Sequence, residues 1–599
     1  MKELLYIDGQ AVDLGGKVDI TLNYKSNLLT DLGKIVGNNS YTIKLPKTKR
    51  NLGIIGISDI PSVVTTFPRK YHEARYFRNG VEIVSDGRVV LLAVSDTIEV
   101  VLTWGNTNGF FKMIDDGRNI NEFPNVDDYV LWNLNNSKSV YNGTDEVLNV
   151  DINFGLAPGE DMAAIHPSVR STYIFGLIQS YYRINIEFPE DRKSFVDSLV
   201  IPLLTRNAGY ANLARTRGSV NYNELTGGYV LIRMGDEFDK NFIKVDMGGS
   251  HFQFFEVLVD GKVTVHPTFF SQYPDLAIQY GPGALNELTV EYLPYRIERR
   301  DNIDYDIYVY DTAVEVDLVA GEKFGFNLWH AKPNGINNAY FQMEIAQSQI
   351  NLGDKFPIVE NLPPIKCVDF IKAVASISGL FVVPSSDLNT IKFISFDRLY
   401  ETDALDWSDR VVRPDYENRP ESISYSLDGF ARKNRMLWHE DESVGITTAN
   451  GNIFVDDATL DYERDAVSLP FAASDTRSGK ALIRLYDYPN PVSIYDKGEP
   501  ELQSLEPRIL IEKDIGGYST GTFDGLHWSV LLRQYYNTYQ NAVKSPVVIT
   551  ERIMLDDITI RELDVSTPVY LRQYGKYYAI IEVKVPSEGA CECKLLQLD

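Results

Sequence analysis

The chain has 599 residues, which is room for about three to five domains of ordinary size. A hydrophobic fraction of 44% excludes wholesale disorder, and three cysteines exclude a disulfide-stapled scaffold. The charge of −25, from 58 Lys/Arg and 83 Asp/Glu, argues against a protein that holds duplex DNA through basic patches. The 36 Tyr and 28 Phe favour β-rich structure.

The N-terminal segment MKELLYIDGQAVDL lacks the uninterrupted apolar core of a signal peptide. No stretch of the chain reaches the roughly 18 consecutive apolar residues of a membrane-spanning helix. We therefore expect a soluble protein that is made in a cytoplasm and is not exported by the general secretory route.

The first 105 residues predict a small β-barrel or sandwich. Residues of strand-like alternation occur at 18–24 and 41–45, and a meander follows at 74–78, 81–84, 88–94 and 97–104. The meander is punctuated by Asn79-Gly80 and Asp86-Gly87, dipeptides that favour hairpin turns. A short amphipathic piece, Phe110 to Ile114, comes next.

Two helix-then-strand units lie about 200 residues apart. The first is predicted to begin at Pro167 and to lead into a strand at 183–188. The second runs from Ile365 to Ser378, with Gly379 as the residue after its C-cap, and is followed by strands at 380–383 and 390–395. The repeated pattern hints at internal duplication.

Strand and turn signals recur through residues 210–345 and predict an inserted β-sandwich. Towards the C-terminus, a long helix from Trp528 to Val543 is predicted, capped by Asp524 and stopped by Pro546. Closing strands follow at 547–554, 569–573, 577–585 and 591–598, and the last of these carries Cys591 and Cys593 on one face.

The predicted fold class is therefore mainly β with α+β parts, in several domains of small barrels or sandwiches plus helix-containing connecting domains. We predict an N-terminal β-barrel at 1–105, an α+β domain at 106–209, the inserted sandwich at 210–345, an α+β domain at 346–405, and a β-rich domain with the long helix at 406–599.

Chemistry-bearing motifs are missing from the sequence. The seven histidines show neither HExxH nor HxH spacing, and there is no GxSxG elbow or GxxxxGK[ST] loop. Asp301, Asp304 and Asp306 alternate like cation ligands, but Ile303 and Tyr305 stand between them and an acidic strand edge is the simpler interpretation. The acidic runs 440–442 and 456–457 do not nominate a glycosidase pair. We therefore predict no catalytic residue, metal ligand or cofactor, and we expect that the protein is not an enzyme. Cys367, Cys591 and Cys593 are predicted to be buried, reduced thiols.

The segment NSYTIKLPKTKRNLGIIG, residues 39–56, resembles the opening of the baseplate hub, or tail-associated, proteins of tailed bacteriophages and prophages. Their first barrel begins with a strand that ends in an I-x-L-P-x-T-x-x-N segment. The matching residues here are Ile43, Leu45, Pro46, Thr48 and Asn51. The segment 361–383 and the ending WSVLLRQYY…PVYLRQYGKYYAIIEVKV resemble the family as well. The inserted sandwich departs from the minimal family pattern.

The resemblance implies a structural virion protein of the phage tail, assembled in the bacterial host cytoplasm. It implies a homotrimeric hub ring that joins the hexameric tube or distal ring above to the trimeric tip below, with DNA passing through unbound. Residues 1–80 carry 12 Lys/Arg and 7 Asp/Glu, so the rest of the chain holds −30. One interpretation of the basic N-terminal segment is a loop that contacts an acidic ring above, and the other is ordinary solvated surface. The residues predicted for that interface are Lys44, Lys47, Lys49 and Arg50.

Two alternatives stay open. The inserted sandwich could make the protein a glycan-binding adhesin, with a host-surface glycan as partner. Its candidate stacking residues are Tyr292, Tyr295, Tyr305, Tyr308 and Tyr310, of which the last two share one face by alternation. The other alternative is a tail-tip enzyme that degrades the cell envelope.

Overall fold

A computed structural model describes most of the chain. The described residues are 3–16, 19–29, 37–60, 65–105, 107–124, 126, 128–132, 138–156, 166–208, 214–222, 230–234, 242–245, 247, 254–258, 260–299, 304–328, 339–347, 350, 353–383, 389–412, 419–444, 449–488 and 501–598.

The α-helices are short. They are α1 Lys49–Ile54, α2 Thr107–Asp116, α3 Ser171–Tyr182, α4 Glu190–Asp197, α5 Cys367–Ile377, α6 Arg398–Glu401, α7 Trp528–Tyr535, α8 Asn537–Lys544 and α9 Asp557–Arg561.

Strands dominate the rest of the described chain. Those before residue 260 are β1 Glu3–Ile7, β2 Gln10–Ala11, β3 Leu22–Lys25, β4 Asn38–Ser40, β5 Ile43–Pro46, β6 His72–Arg78, β7 Val81–Val94, β8 Thr97–Trp104, β9 Tyr129–Leu131, β10 Val147–Leu148, β11 Ser168–Arg170, β12 Asn185–Glu187, β13 Leu199–Pro202, β14 Ala214–Tyr222, β15 Val230–Met234, β16 Phe242–Val245 and β17 Phe254–Val257. Those from 260 to 425 are β18 Gly261–Ser271, β19 Leu276–Gly281, β20 Thr289–Tyr292, β21 Arg296–Glu298, β22 Ile307–Tyr310, β23 Val314–Leu318, β24 Lys323–Leu328, β25 Ala339–Gln347, β26 Lys355–Pro357, β27 Leu380–Val383, β28 Thr390–Ser395, β29 Leu405–Asp406 and β30 Ser422–Ser424. The remainder are β31 Lys433–His439, β32 Gly451–Phe454, β33 Glu463–Ala472, β34 Asp475–Arg477, β35 Lys480–Leu482, β36 Tyr486–Asp487, β37 Glu501–Leu502, β38 Leu510–Ile515, β39 Tyr518–Thr522, β40 Val548–Ile553, β41 Val569–Leu571, β42 Lys576–Val585 and β43 Cys591–Leu598.

The predicted fold class, mainly β with α+β parts and several domains, is confirmed. Contacts divide the chain into two compact units. Unit 1 comprises Met1–Phe123, Lys138–Leu203 and Pro363–Asp599, and unit 2 comprises Pro124–Ser137 and Leu204–Leu362. The predicted domain boundaries at 105, 209, 345 and 405 stay predictions.

The largest feature of unit 1 is a 14-stranded sheet that both ends of the chain build together. Its main path runs β2-β1-β6-β7-β8-β4-β3-β42-β43-β40-β30, and β5, β29 and β41 join it from the side. Among the residues the structure describes, the strands predicted as a small barrel or sandwich at 1–105 belong to this open sheet and do not form a closed barrel. The physical reason is that β3 pairs with β42 near the C-terminus, from Leu22↔Val585 to Lys25↔Glu582, rather than closing the N-terminal strands on themselves.

One face of this sheet carries a large hydrophobic core of unit 1. Alternate residues of strands from both chain ends are fully buried there, as period-2 patterning requires. Ile43, Leu45, Val100, Val583 and Leu595 are examples, each at most 1% exposed. Cys591 and Cys593 lie in the same core and are unbonded thiols, and Cys367 is buried and unbonded elsewhere in unit 1. Burial raises the pKa of both Cys367 and Cys591 to about 11.

Several predicted elements have the predicted bounds, and others differ. The predicted turn at Asp86-Gly87 is wrong, since β7 continues through it with a register shift opposite β6. The first long helix begins at Ser171, not Pro167, because Val169 pairs with Val147 and Ile201 in a sheet. The predicted single helix at 528–543 is broken at Tyr536, whose backbone leaves the helical region. Its N-cap residue is His527, so the predicted cap at Asp524 is wrong.

Unit 2 holds two antiparallel sheets of seven and five strands among its described residues, together with the β9–β26 pair. The seven-stranded sheet runs β15-β14-β25-β18-β22-β21 with β23 beside β18, and the five-stranded sheet runs β16-β17-β24-β19-β20. The buried Tyr310 of β22 joins the two sheets. Its hydroxyl donates to the Tyr273 carbonyl and accepts from the backbone N–H of Leu276 at the start of β19.

A buried ion pair in unit 1 connects Asp441 to Arg508. The Arg508 Nη2 lies 2.6 Å from the Asp441 carboxylate and 3.1 Å from the Ser443 hydroxyl. Burial by itself raises the pKa of Asp441, but hydrogen bonds from Ser443 and Arg508 outweigh burial and hold the pKa below its ordinary value. A carboxylate with this environment contributes to stability only while it is ionised.

This pair predicts a pH dependence of folding. Because the native pKa of Asp441 is depressed, its contribution is present above the unfolded pKa of about 3.9 and is lost as the pH falls through the native pKa. We expect the free energy of unfolding of the wild-type protein to fall more steeply below about pH 4 than that of the Asp441→Asn variant. Urea titrations across this pH range measure the slope. The Asp428→Asn variant, at an exposed carboxylate, should keep the wild-type slope; equal slopes for Asp441→Asn would contradict the prediction.

No helix of the described part of the chain is both long enough and apolar enough to cross a membrane. Nor do the described residues bring together three or more side chains that could hold a metal ion. Of the acidic triplet named above, Asp301 lies outside the described residues, and Asp306 accepts a hydrogen bond from Arg299 at 2.7 Å.

Candidate functional site

The segment that resembles the phage family is built around a network of hydrogen bonds. Thr48 caps α1 by accepting from the Asn51 backbone N–H, and its hydroxyl donates to the Asp13 carboxylate. The Asn51 amide is buried; it donates to the carbonyls of Pro46 and Asp13 and accepts from the Asp13 backbone N–H. Ile43 and Leu45 are buried in the core. The motif residues therefore stabilise the local fold and do not present a surface to a partner.

The strand that contains this motif is interrupted in the middle. β4 and β5 both pair with β8, at Asn38↔Trp104 and Ile43↔Val100, but Tyr41 and Thr42 leave the ladder between them. The Tyr41 N–H donates instead to the carbonyl of Thr21, and its side chain is exposed. β3 lies between β4 and β42, with Leu22 opposite Ser40 on one side and Val585 on the other, while β5 pairs with β8.

A groove of about 680 Å³ opens at this break, where the N-terminal strands meet the C-terminal ones. A volume of this size is typical of sites that bind a ligand or part of a partner. Most of the lining residues are of polar or charged types; they are Asp19, Thr21, Tyr41, Thr42, Lys44, Arg552, Lys584, Pro586, Ala590 and Glu592.

Charges alternate from strand to strand across the groove. Lys584 of β42 lies 2.8 Å from Glu592 of β43, and this hydrogen bond raises the pKa of the lysine. Glu592 stands directly opposite Arg552 of β40, which in turn lies 3.2 Å from Glu421. Opposite charges on neighbouring strands support the pairing register, each pair contributing a few tenths of a kcal/mol to about 1 kcal/mol.

The four residues predicted as an interface are divided by the structure. Lys44 lines the groove, is 64% exposed, and lies 3.6 Å from Glu99 of the neighbouring strand. Lys47 and Arg50 have carboxylate partners near them, Asp59 at 3.4 Å and Asp13 at 3.7 Å, and Lys49 is the exposed first residue of α1. The structure therefore places only Lys44 in the groove.

The residues that complete the groove were not found from the sequence. Arg552, Lys584 and Glu592 lie more than 500 residues from Lys44 along the chain. The available signal was the alternation of charged with apolar residues in the last strands, which marks their outward positions. It does not reveal which N-terminal segment lies beside them.

No protein-family model matches this chain, and neither does any curated protein sequence. Among solved structures, the chain is similar to the prophage MuSo2 43 kDa tail protein from Shewanella oneidensis, at 8% identity, over 100% of this chain and 99% of that one, with a TM-score of 0.31. It is also similar to GITRL from bushbaby, at 12% identity, over 22% of this chain and 93% of that one, with a TM-score of 0.13. Likenesses this remote leave the function to be argued from the chain itself.

Proposed function

We propose that this protein is a non-catalytic structural component of a bacteriophage or prophage tail, a hub subunit at the distal end that assembles as a homotrimeric ring. The observation that carries the proposal is the position of the three resembling segments. The first and last lie wholly in unit 1, and the second lies in it from Pro363 onwards. The first and last contribute strands to the same open sheet around the groove. The groove is then the contact with the tube or distal ring above, and tip proteins attach below.

An open sheet favours ring assembly on physical grounds. One of the two end strands of its main path, β30, has all three residues exposed. The apolar Ile423 lies on this edge, with the exposed Tyr425 just beyond it. Edge strands of this kind pair readily with another chain unless lysine, proline or a covering loop protects them. A contact that repeats by rotation closes into a ring. We infer that β30 of one copy contacts the next copy in the ring.

The charge distribution supports a role in DNA passage without DNA binding. The chain carries −25 in total and −30 outside its first 80 residues. A ring whose channel is lined by such acidic residues repels the phosphate backbone and lets DNA slide through without adhering. This part of the proposal predicts an acidic channel.

Electron microscopy and light scattering on the same purified sample test the proposal. We expect a threefold ring with a central hole and a mass of three times 67.8 kDa. The Ile423→Lys variant should weaken self-association by about tenfold or more, because it brings an unpaired charge to the edge contact. Tyr462→Lys, an exposed position outside the large sheet, is the matched control and should assemble normally. A compact monomer at every concentration, or a ring lined by basic residues, would overturn the proposal.

A further inference from the structure

We propose that unit 2 binds a neutral saccharide on an aromatic platform formed by Tyr295, Ile297 and Tyr308. This proposal is independent of the hub assembly, because it concerns a different unit of the chain. The platform lies at the flank where β20, the edge of the five-stranded sheet, leads directly into β21, the edge of the seven-stranded sheet.

The platform is held by the core beneath it. The Tyr295 ring makes edge contacts with Tyr308 and with the buried Tyr310, at centroid distances of 5.0 and 5.8 Å. The hydroxyl of Tyr310 is bonded to the backbone of Leu276 in the five-stranded sheet and of Tyr273 in the segment that leads into it. Tyr295 is nonetheless 46% exposed. An aromatic ring that is fixed by its neighbours in the free protein loses little further conformational entropy when a ligand binds.

The platform extends along the hairpin. Ile297 stands directly opposite Tyr308 in the β21–β22 register and is 53% exposed. Since residues of a strand alternate between its faces, Arg296 and Glu298 point to the opposite side of β21. Arg296 is bonded there to Asp311 and Glu298. The same face continues to one charged pair, Arg299 and Asp306, whose side chains lie 2.7 Å apart and offset each other. Between Tyr295 and Tyr308 the platform therefore presents apolar surface and phenol hydroxyls.

These properties favour a neutral saccharide over other occupants. A pyranose has one apolar C–H face that stacks on an aromatic ring and a rim of hydroxyls that bonds to polar groups, and a tyrosine offers both kinds of contact. Unit 2 carries 13 Lys/Arg against 23 Asp/Glu, a net charge of 13 − 23 = −10 that disfavours an acidic polymer. A neutral ligand meets no such barrier.

The experiment uses the full-length protein on an array of neutral and acidic oligosaccharides, followed by calorimetric titration of the strongest neutral one. We expect Tyr295→Ala to weaken binding by about tenfold, the upper range for one ring contact, and Tyr295→Phe, which keeps the ring, to stay within about threefold of wild type. Tyr462→Ala, a 71% exposed tyrosine of unit 1, is the control and should bind as wild type does.

Thermal melting checks that the variants are folded, and Ile297→Ser replaces Tyr295→Ala if the latter fails to fold. Absence of any neutral oligosaccharide bound by the wild-type protein would overturn the inference. So would unchanged binding by Tyr295→Ala, or binding of acidic saccharides alone. Ring formation by electron microscopy should be the same in all of these variants, so the inference and the hub proposal fail separately.

Discussion

Replacing Arg170 with alanine is expected to destabilise unit 1 by about 3–5 kcal/mol, the typical cost of leaving one member of a buried ion pair without its partner. Arg170 and Glu512 are only 4% and 1% exposed, and their side chains meet at 2.5 Å. The guanidinium also donates to the carbonyls of Asp145 and Asp197, and the carboxylate accepts from Ser519. The substitution removes all of the arginine's contacts and leaves the Glu512 charge buried.

Urea denaturation of the full-length protein, followed by tryptophan fluorescence, measures this effect. Arg552→Ala is the matched control, because its partner Glu421 is exposed and such pairs contribute at most about 1 kcal/mol. The double variant Arg170→Met, Glu512→Leu should recover most of the lost stability, since apolar residues of similar size can replace a buried ion pair. An Arg170→Ala variant as stable as Arg552→Ala would show that Glu512 reaches solvent or another cation.

Gly379→Ala is expected to lower the free energy of unfolding by about 2–5 kcal/mol, through backbone strain and steric overlap together. Gly379 follows α5 with a φ of +65°, a conformation that side chains disfavour. A Cβ built there would lie 2.6 Å from the Tyr535 Cβ and 2.8 Å from the Tyr535 carbonyl oxygen. Neither atom is the end of a flexible side chain, so α7 itself would have to move.

Gly516→Ala separates the two causes. Gly516 has nearly the same φ, +67°, but a Cβ there would have no neighbour within 4 Å. The Gly516→Ala substitution should lower the free energy of unfolding only by the strain of the left-handed conformation, about 1–2 kcal/mol. If urea denaturation showed the same decrease in the free energy of unfolding for both variants, the overlap of the new Cβ with Tyr535 would contribute nothing, and the prediction would be wrong.

Elements that are specified by a short local pattern of residues were predicted correctly from the sequence. The bounds of β8, β27, β28 and β43 match the prediction, because alternation or a short apolar run next to a turn specifies a strand locally. Gly379 was likewise identified correctly as the residue that ends α5. The break at Tyr536 escaped prediction because the apolar stripe continues across it, with Tyr535, Tyr536 and Tyr539 all buried.

Non-local pairing accounts for what the sequence could not predict. Nothing in β3 indicates that its partner is β42, so a separate barrel or sandwich at 1–105 was expected where strands from both ends of the chain share one sheet. The groove depends on the same pairing, and for that reason only Lys44 of its charged residues was anticipated. The residues that line a groove between strands can be predicted only if the neighbouring strands are known. The periodicity of each strand alone does not give that information.

The pairing of β3 with β42 also has a consequence for biosynthesis. Asn23 and Glu582, which are bonded across these strands, are separated by 559 positions. At a translation rate of about 5–20 residues per second, the N-terminal strands wait roughly half a minute to two minutes for their partners to leave the ribosome. During that interval β3 lacks one neighbour, and nascent chains on the same messenger expose identical edges. We expect production to depend on chaperones that shield these strands, and refolding in vitro to be slow, as sheets with distant pairings generally are.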